Sequence, residues 1–159
     1  MSFLRFLMLL SLIVWLGGII FFPVVAATAF SVLPSTHLAG LVVRRSLGIL
    51  HWMGMVSGVV FLASSLASER LRGGRGHGFT AVHLLVCGML ALTLVSQFGI
   101  IPRMDTLRTA VPDIGSLPAD NPVHLEFDAL HLWSTRVEKG VLILGLAATY
   151  LVARLSPAG

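Results

Sequence analysis

Histidines and a carboxylate gather at the start of the last apolar stretch, where they could bind a metal ion or carry protons. His124, Asp128, His131 and Thr135 are spaced i, i+4, i+7 and i+11, which places them on one face of a helix. Two imidazoles and a carboxylate could supply three ligands to a metal ion. Alternatively, these side chains belong to an interfacial helix and meet water and lipid headgroups. The spacing by itself favours this second interpretation, since it offers no ligand from another element.

A second polar face overlaps the first one. Phe127, His131, Ser134 and Glu138 follow the same spacing, and Arg136 lies beside them. Charges inside a membrane span cost about 2.5–3.5 kcal/mol each on insertion scales, so they usually face the bundle interior and pair. We therefore expect a polar cluster at membrane depth.

His51 offers a possible second contribution to such a site. Gly54 and Gly58 lie close to its face, and small residues at this spacing let a neighbouring helix approach closely. His51 is therefore expected inside the bundle at a depth similar to that of His131, where the pair could bind a haem or a metal. His83 is expected near the opposite membrane surface, too far away to share a cofactor with either.

Two adjacent arginines lie just before the second apolar stretch of the chain, residues 47–67. Arg44 and Arg45 are natural ion-pair partners for Asp128 or Glu138. We expect one of these pairs at the membrane edge.

The elements that must position these residues are four apolar stretches, each about 20 residues or longer, as a membrane-spanning helix requires. The four stretches cover residues 6–30, 47–67, 79–101 and 132–153. The long connection between the last two covers residues 102–131. Pro23 predicts a kink or an early end in the first, and Pro102 is expected to close the third. Within the connection, residues 103–110 could form a short helix, and Asn121-Pro122 is typical of a helix start. We predict an all-α, integral membrane four-helix bundle in which residues 1–159 form a single domain.

The composition agrees with a membrane protein. Charged residues make up 11% of the 159 residues, against about 25% in soluble domains, and apolar residues make up 56%. Cys87 is the only cysteine, so an intrachain disulfide is excluded. The net charge of +4 is attributed to topology and lipid headgroups, and nucleic-acid binding is not expected.

Four spans would place both termini and the turn at residues 68–78 on one side of the membrane. Arg and Lys number five on that side and six on the other, which is indecisive, but Arg70, Arg72 and Arg75 cluster in the short turn. We therefore predict a bacterial inner-membrane protein with both termini in the cytoplasm. Alternatively, Ala27-Thr28-Ala29 resembles a signal cleavage site, and cleavage there would leave three helices.

Several landmarks along the chain together resemble a known family. They are Trp15-Leu16-Gly17-Gly18 with Phe21-Phe22, Ile101-Pro102-Arg103, and Phe127-x-x-Leu130-His131-x-x-Ser134. This combination resembles the transmembrane protein 205-like family, also called domain of unknown function 4149. The resemblance implies a four-helix membrane protein without an established activity, and it directs attention to His131 and Ser134. Glu138 departs from the family pattern, which has asparagine seven residues after the motif histidine.

Three hypotheses on function follow. The first is a non-enzymatic accessory or assembly subunit that associates with itself or with a larger membrane complex through the Gly54/Gly58 face. The second is a haem- or metal-binding redox protein that uses His51 and His131. The third is a small transporter or ion pathway through Arg44, Gln97 and Glu138.

Overall fold

The computed structural model describes residues 2–71, 81–111 and 114–154, and in these residues the chain is all-α, without a strand. Four long helices form a bundle, which confirms the predicted fold class. The third long helix has three segments, separated by a change of helix type. The elements are α1 Ser2–Val32, α2 Thr36–Leu71, α3 Ala81–Val95, a π-helical turn Ser96–Ile100, α4 Ile101–Ala110, a 3₁₀ turn Ile114–Ser116, and α5 Pro122–Arg154.

Three of the long helices have the length and the apolar composition to cross a membrane: α1, α2, and the continuous helix from α3 to α4. Their outward faces expose large apolar side chains such as Ile13, Val56 and Val59, as lipid contact requires. The last helix, α5, has 33 residues and is therefore about 50 Å long. It is more polar, because Arg136, Glu138 and Lys139 lie near its middle. Its passage through the bilayer stays a prediction.

All four helices continue beyond the apolar stretches recognised in the sequence. The first runs through Pro23 to Val32, so the early end considered there is not observed. Residues 31–46, which lie between the first two apolar stretches, consist largely of the first turns of α2. The connection expected at residues 102–131 contains α4 and the start of α5. This start agrees with the Asn121-Pro122 signal, since the Asn121 side chain accepts a hydrogen bond from the Val123 N–H at 2.9 Å. Of the turn expected at residues 68–78, only the part up to Leu71 lies within the described residues.

The π-helical turn explains why Pro102 does not end the third helix. Proline lacks an N–H and cannot make the usual i to i−4 hydrogen bond. Here the N–H of Ile101 donates to the carbonyl of Ser96, five residues earlier, so the wider turn comes directly before the proline. Pro102 then occupies the first turn of α4, where no N–H is needed.

Trp15 is central to the packing between α1 and α2, and only 2% of its surface is exposed. A Cβ atom on Gly54 or Gly58 would overlap its indole ring, and one on Gly58 would also overlap Leu90 of α3. The face predicted to receive another helix therefore receives α1 and α3 of the same chain. Gly54 and Gly58 are buried by these contacts, so they are not exposed to a second copy or to another subunit.

Candidate functional site

A hydrogen-bonded network of three polar side chains lies in the interior of the bundle. His51 of α2, 1% exposed, contacts Gln97 of the π-helical turn through Nδ1, which lies 2.8 Å from Oε1. Its Nε2 lies 2.6 Å from Oε1 of Glu138 in α5. One buried imidazole thus connects three of the four long helices.

The contacts of His51 engage both nitrogens of its ring. Nδ1 faces the side-chain amide of Gln97 and Nε2 faces the carboxylate of Glu138, so each nitrogen has a hydrogen-bonding partner. To bind a haem iron or a metal ion, His51 would have to give up one of these two contacts. The cofactor site of His51 and His131 stays a prediction.

The predicted ion pairs are replaced by another pairing. The guanidinium of Arg44 donates through Nε and Nη2 to both carboxylate oxygens of Asp105 in α4. Because Glu138 is paired with His51, it is not the partner of Arg44, and Arg45 is exposed. Asp105 was not predicted as the partner because it was expected in a connection. Instead, the third helix continues through the π-helical turn into α4, and this brings Asp105 beside α2.

The predicted metal ligands His124, Asp128 and His131 are not gathered into one ligand set in the described part of the chain. His124 contacts the Leu117 carbonyl through Nδ1 at 3.2 Å, and its Nε2 lies 3.5 Å from Asp128 on the same helix. His131 lies on this face without joining them in a ligand set. Within residues 2–71, 81–111 and 114–154, no three His, Cys, Asp or Glu side chains come together in a way that could hold a metal ion.

A cavity of about 570 Å³ lies between α1, α2, α4 and α5. Its apolar lining comes from all four helices and consists of Ile19, Phe22, Pro23, Ala26, Phe30, Gly40, Val43, Leu47, Leu50, Ile101, Met104, Phe127 and Leu142. Its polar lining consists of Arg44, Asp105, Arg108, Asp128, His131, Ser134, Thr135, Glu138 and Lys139. The cavity thus joins an apolar wall to a polar one, which suits an amphipathic molecule.

The predicted polar residues divide between this cavity and the outer surface. His131 and the buried Ser134 line the cavity, as does Glu138, whose carboxylate also contacts His51. Arg136 does not line it, and its guanidinium stacks over the Trp133 ring at 5.2 Å. The spacing of these residues indicated a polar cluster but did not predict a cavity.

The contribution of α4 to this cavity was also missed. Ile101, Met104, Asp105 and Arg108 all line it, and they are spaced i, i+3, i+4 and i+7. This spacing puts them on one helix face, and it was a usable signal in the sequence. It was overlooked because Pro102 was expected to end the helix.

The comparisons with known proteins identify a family and no closer relative. A family model described as a domain of unknown function (DUF4149) matches residues 10–111. This range contains α1 from residue 10 onwards together with α2, α3 and α4, and it precedes the residues at 127–134 that were part of the resemblance. No curated protein and no solved structure matches the chain. The alternative description as transmembrane protein 205-like stays a prediction.

Proposed function

This chain belongs to the domain of unknown function 4149 family, and we propose that it is a membrane protein that binds an amphipathic small molecule between α1, α2, α4 and α5. The observation that carries the proposal is the cavity of about 570 Å³. Pockets for small molecules measure about 300–1,000 Å³ and combine a mainly apolar lining with a few polar groups. The interior of this bundle has both properties.

Among the three hypotheses from the sequence, the third is nearest to this proposal. Arg44 and Glu138 line the cavity. Gln97 is connected to Glu138 by the imidazole of His51, which contacts both side chains. A binding site at membrane depth suits a carrier or a binding component of a transport system. The accessory-subunit hypothesis rested on Gly54 and Gly58, whose space is filled by Trp15. The redox hypothesis would require His51 to give up its contact with Gln97 or with Glu138.

The same proposal includes a location. We propose that the protein lies in a bacterial inner membrane with both termini in the cytoplasm. Arg44 lies near the start of α2 and Arg108 near the end of α4, and both of these helix ends lie at the end of the bundle away from the N-terminus. The end of the cavity that contains these arginines would therefore face the side of the membrane opposite to the cytoplasm.

The proposal predicts that filling the cavity removes its ligand. Ala26 lines the cavity on α1, whereas its neighbour Ala27 is exposed and does not line it. Ala26→Trp is expected to displace the bound molecule, and Ala27→Trp is the matched control. The measurement is mass spectrometry of small molecules extracted from each variant after purification from its native membrane in mild detergent.

The expected result is one compound in stoichiometric amount with the wild type and with Ala27→Trp, and less than about a tenth of it with Ala26→Trp. Circular dichroism would verify that both variants remain helical. If the wild type carried no such compound, or if Ala26→Trp retained it fully, the proposed function would be wrong.

A further inference from the structure

We propose that the ligand of this cavity is an anionic amphiphile, whose acidic head binds Arg108 and whose apolar chain lies along α1. This inference rests on the function proposed above and names the chemical class of the ligand. The acidic head is a carboxylate or a phosphate, and the chain is an alkyl or acyl chain.

The carboxylates of the cavity already have basic partners. Asp105 is held by Arg44, Glu138 lies 2.6 Å from Nε2 of His51, and Asp128 lies 3.5 Å from Nε2 of His124. A cationic ligand would therefore have to replace an existing partner at each of them. The carboxylates do not constitute an open site for a cation.

Two cations of the cavity lack such partners. In the part of the chain that the structure describes, no carboxylate lies within 4 Å of the basic groups of Arg108 or Lys139. Arg108 is half-buried, and its guanidinium lies 4.9 Å from the centroid of the Phe127 ring. Stacking on an aromatic face leaves the N–H groups at the edge of the guanidinium plane free to donate, and this edge matches a carboxylate or a phosphate. The charged groups of the cavity that lack an ion-pair partner are thus positive. The guanidinium of Arg108 also has the donor geometry to bind an acidic head.

The apolar lining gives the direction of the chain. Arg108 lies in the last turn of α4, near the end of the bundle, whereas Ala26, Phe22 and Ile19 line the cavity along the second half of α1, from near its end towards its middle. A ligand held at Arg108 can therefore place its head near the membrane surface and its chain towards the bilayer centre. This is the orientation that an amphiphile adopts in a lipid leaflet, so binding does not require it to invert.

The experiment compares three amphiphiles that share one chain and differ in the charge of the head. Dodecanoate, dodecanol and dodecylammonium are tested as competitors of a fluorescent fatty acid bound to the protein in nanodiscs of phosphatidylcholine. We expect dodecanoate to compete at least about tenfold better than dodecanol, since only its carboxylate can accept charge-assisted hydrogen bonds from the Arg108 guanidinium. Dodecylammonium is expected to be the weakest competitor.

Variants of α4 test which residue binds the acidic head of the ligand. Arg108→Gln is expected to weaken dodecanoate about tenfold or more and to leave dodecanol unchanged, whereas Arg108→Lys retains part of the preference. Arg103→Gln is the matched control, because Arg103 lies on the same helix, is exposed, pairs with Glu126 and does not line the cavity. Thermal unfolding would show that each variant is folded, and Arg108→Lys keeps the test decisive if Arg108→Gln does not fold.

The outcomes separate this inference from the proposed function. If the three amphiphiles competed equally, or if dodecylammonium competed best, the anionic class would be wrong while a binding cavity would stand. If Arg108→Gln left the preference for dodecanoate intact, the assignment to Arg108 would be wrong. If the fluorescent fatty acid itself did not bind and no compound co-purified, the proposed function would fail as well.

One further arm identifies the source of the ligand. Replacing part of the phosphatidylcholine by phosphatidylglycerol supplies an anionic phospholipid in the bilayer itself. Competition by phosphatidylglycerol in the wild type and not in Arg108→Gln would identify the ligand as a membrane phospholipid. Binding of the fatty acid that phosphatidylglycerol leaves unchanged would identify it as a free fatty acid or another single-chain acid.

Discussion

At the scale of single residues, the position of a charge decides what its pairing contributes to stability. The His51–Glu138 pair lies mostly inside the bundle, with side-chain exposures of 1% for His51 and 16% for Glu138. The Arg103–Glu126 pair has nearly the same separation, 2.7 Å, but its side chains are 60% and 40% exposed. Removing one partner of a buried pair leaves the other charged or polar group without compensation, whereas solvent stabilises the remaining partner of a surface pair.

The variant Glu138→Ala is therefore expected to lower the free energy of unfolding by about 2 kcal/mol or more, because it leaves Nε2 of the buried His51 without an acceptor. Glu138→Gln retains an acceptor for the imidazole and should have a smaller effect. The measurement is denaturant-induced unfolding in detergent, followed by circular dichroism.

The control for this prediction is Glu126→Ala, which removes the exposed pair and should change the free energy of unfolding by only about 0–1 kcal/mol. Equal effects of Glu138→Ala and Glu126→Ala would mean that the interior pair is solvated.

At the scale of helices, two local features decide how the long helices fit together. Gly54 and Gly58 make a recess in α2 into which Trp15 packs. The π-helical turn Ser96–Ile100 carries Gln97 and lets the helix continue past Pro102 into α4. Such turns are found frequently at functional sites in other proteins. Here the turn contributes Gln97 to the buried network, and α4 beyond it contributes Asp105 and Arg108 to the cavity.

Filling the recess in α2 is expected to destabilise the bundle. Gly54→Ala places a Cβ atom in the space of the Trp15 indole, and overpacking of this kind costs about 1–3 kcal/mol. The measurement is the thermal unfolding temperature in detergent, which should fall. The double variant Gly54→Ala/Trp15→Phe should recover part of the loss, since the smaller ring makes room for the methyl group.

Gly48→Ala is the matched control on the same helix. A Cβ atom there meets nothing within 4 Å, so alanine should be neutral or should stabilise the helix by up to about 1 kcal/mol through its higher helix propensity. A decrease as large as that of Gly54→Ala would contradict the role of the recess.

At the scale of the whole molecule, the four-helix arrangement sets where each end of the cavity lies. The N-terminus of α1 and the C-terminus of α5 lie at one end of the bundle, and the connections from α1 to α2 and from α4 to α5 lie at the other. If α5 crosses the bilayer, both termini face one side. Its charged middle makes this crossing the critical part of the topology, and pairing of Glu138 with His51 lowers the cost of placing that charge inside the bundle.

The predicted topology is testable by cysteine labelling in a Cys87→Ser background. Pro118→Cys, between α4 and α5, should react with a membrane-impermeant maleimide in intact bacterial cells. Glu69→Cys, near the end of α2, should react only after the cells are permeabilised. The reason for this expectation is the clustering of Arg70, Arg72 and Arg75, since segments rich in arginine favour the cytoplasmic side of the membrane.

A reporter fused to the C-terminus tests the crossing of α5. Green fluorescent protein should be fluorescent at this position, as expected for a cytoplasmic C-terminus. Fluorescence lost there, together with the predicted cysteine pattern, would mean that α5 does not span the bilayer.

The sequence by itself determined that the chain is helical and belongs in a membrane, because apolar length and low charge depend only on local composition. It also determined which polar residues share one face of α5, since the spacing of His131, Ser134 and Glu138 follows from helix geometry alone. The start of α5 at Asn121-Pro122 was readable for the same reason. These features require no knowledge of which helix lies beside which.

Only the tertiary structure decided the partners of those residues. Arg44 pairs with Asp105 and His51 with Gln97 and Glu138, and each of these pairs joins helices that are distant in sequence. Their distances depend on how the helices are rotated and shifted relative to one another, which local spacing does not encode. The π-helical turn changes that rotation in the middle of the third helix, and a period of 3.6 residues cannot anticipate it. The cavity follows from the same packing, because it is the space that four differently oriented helices leave between them.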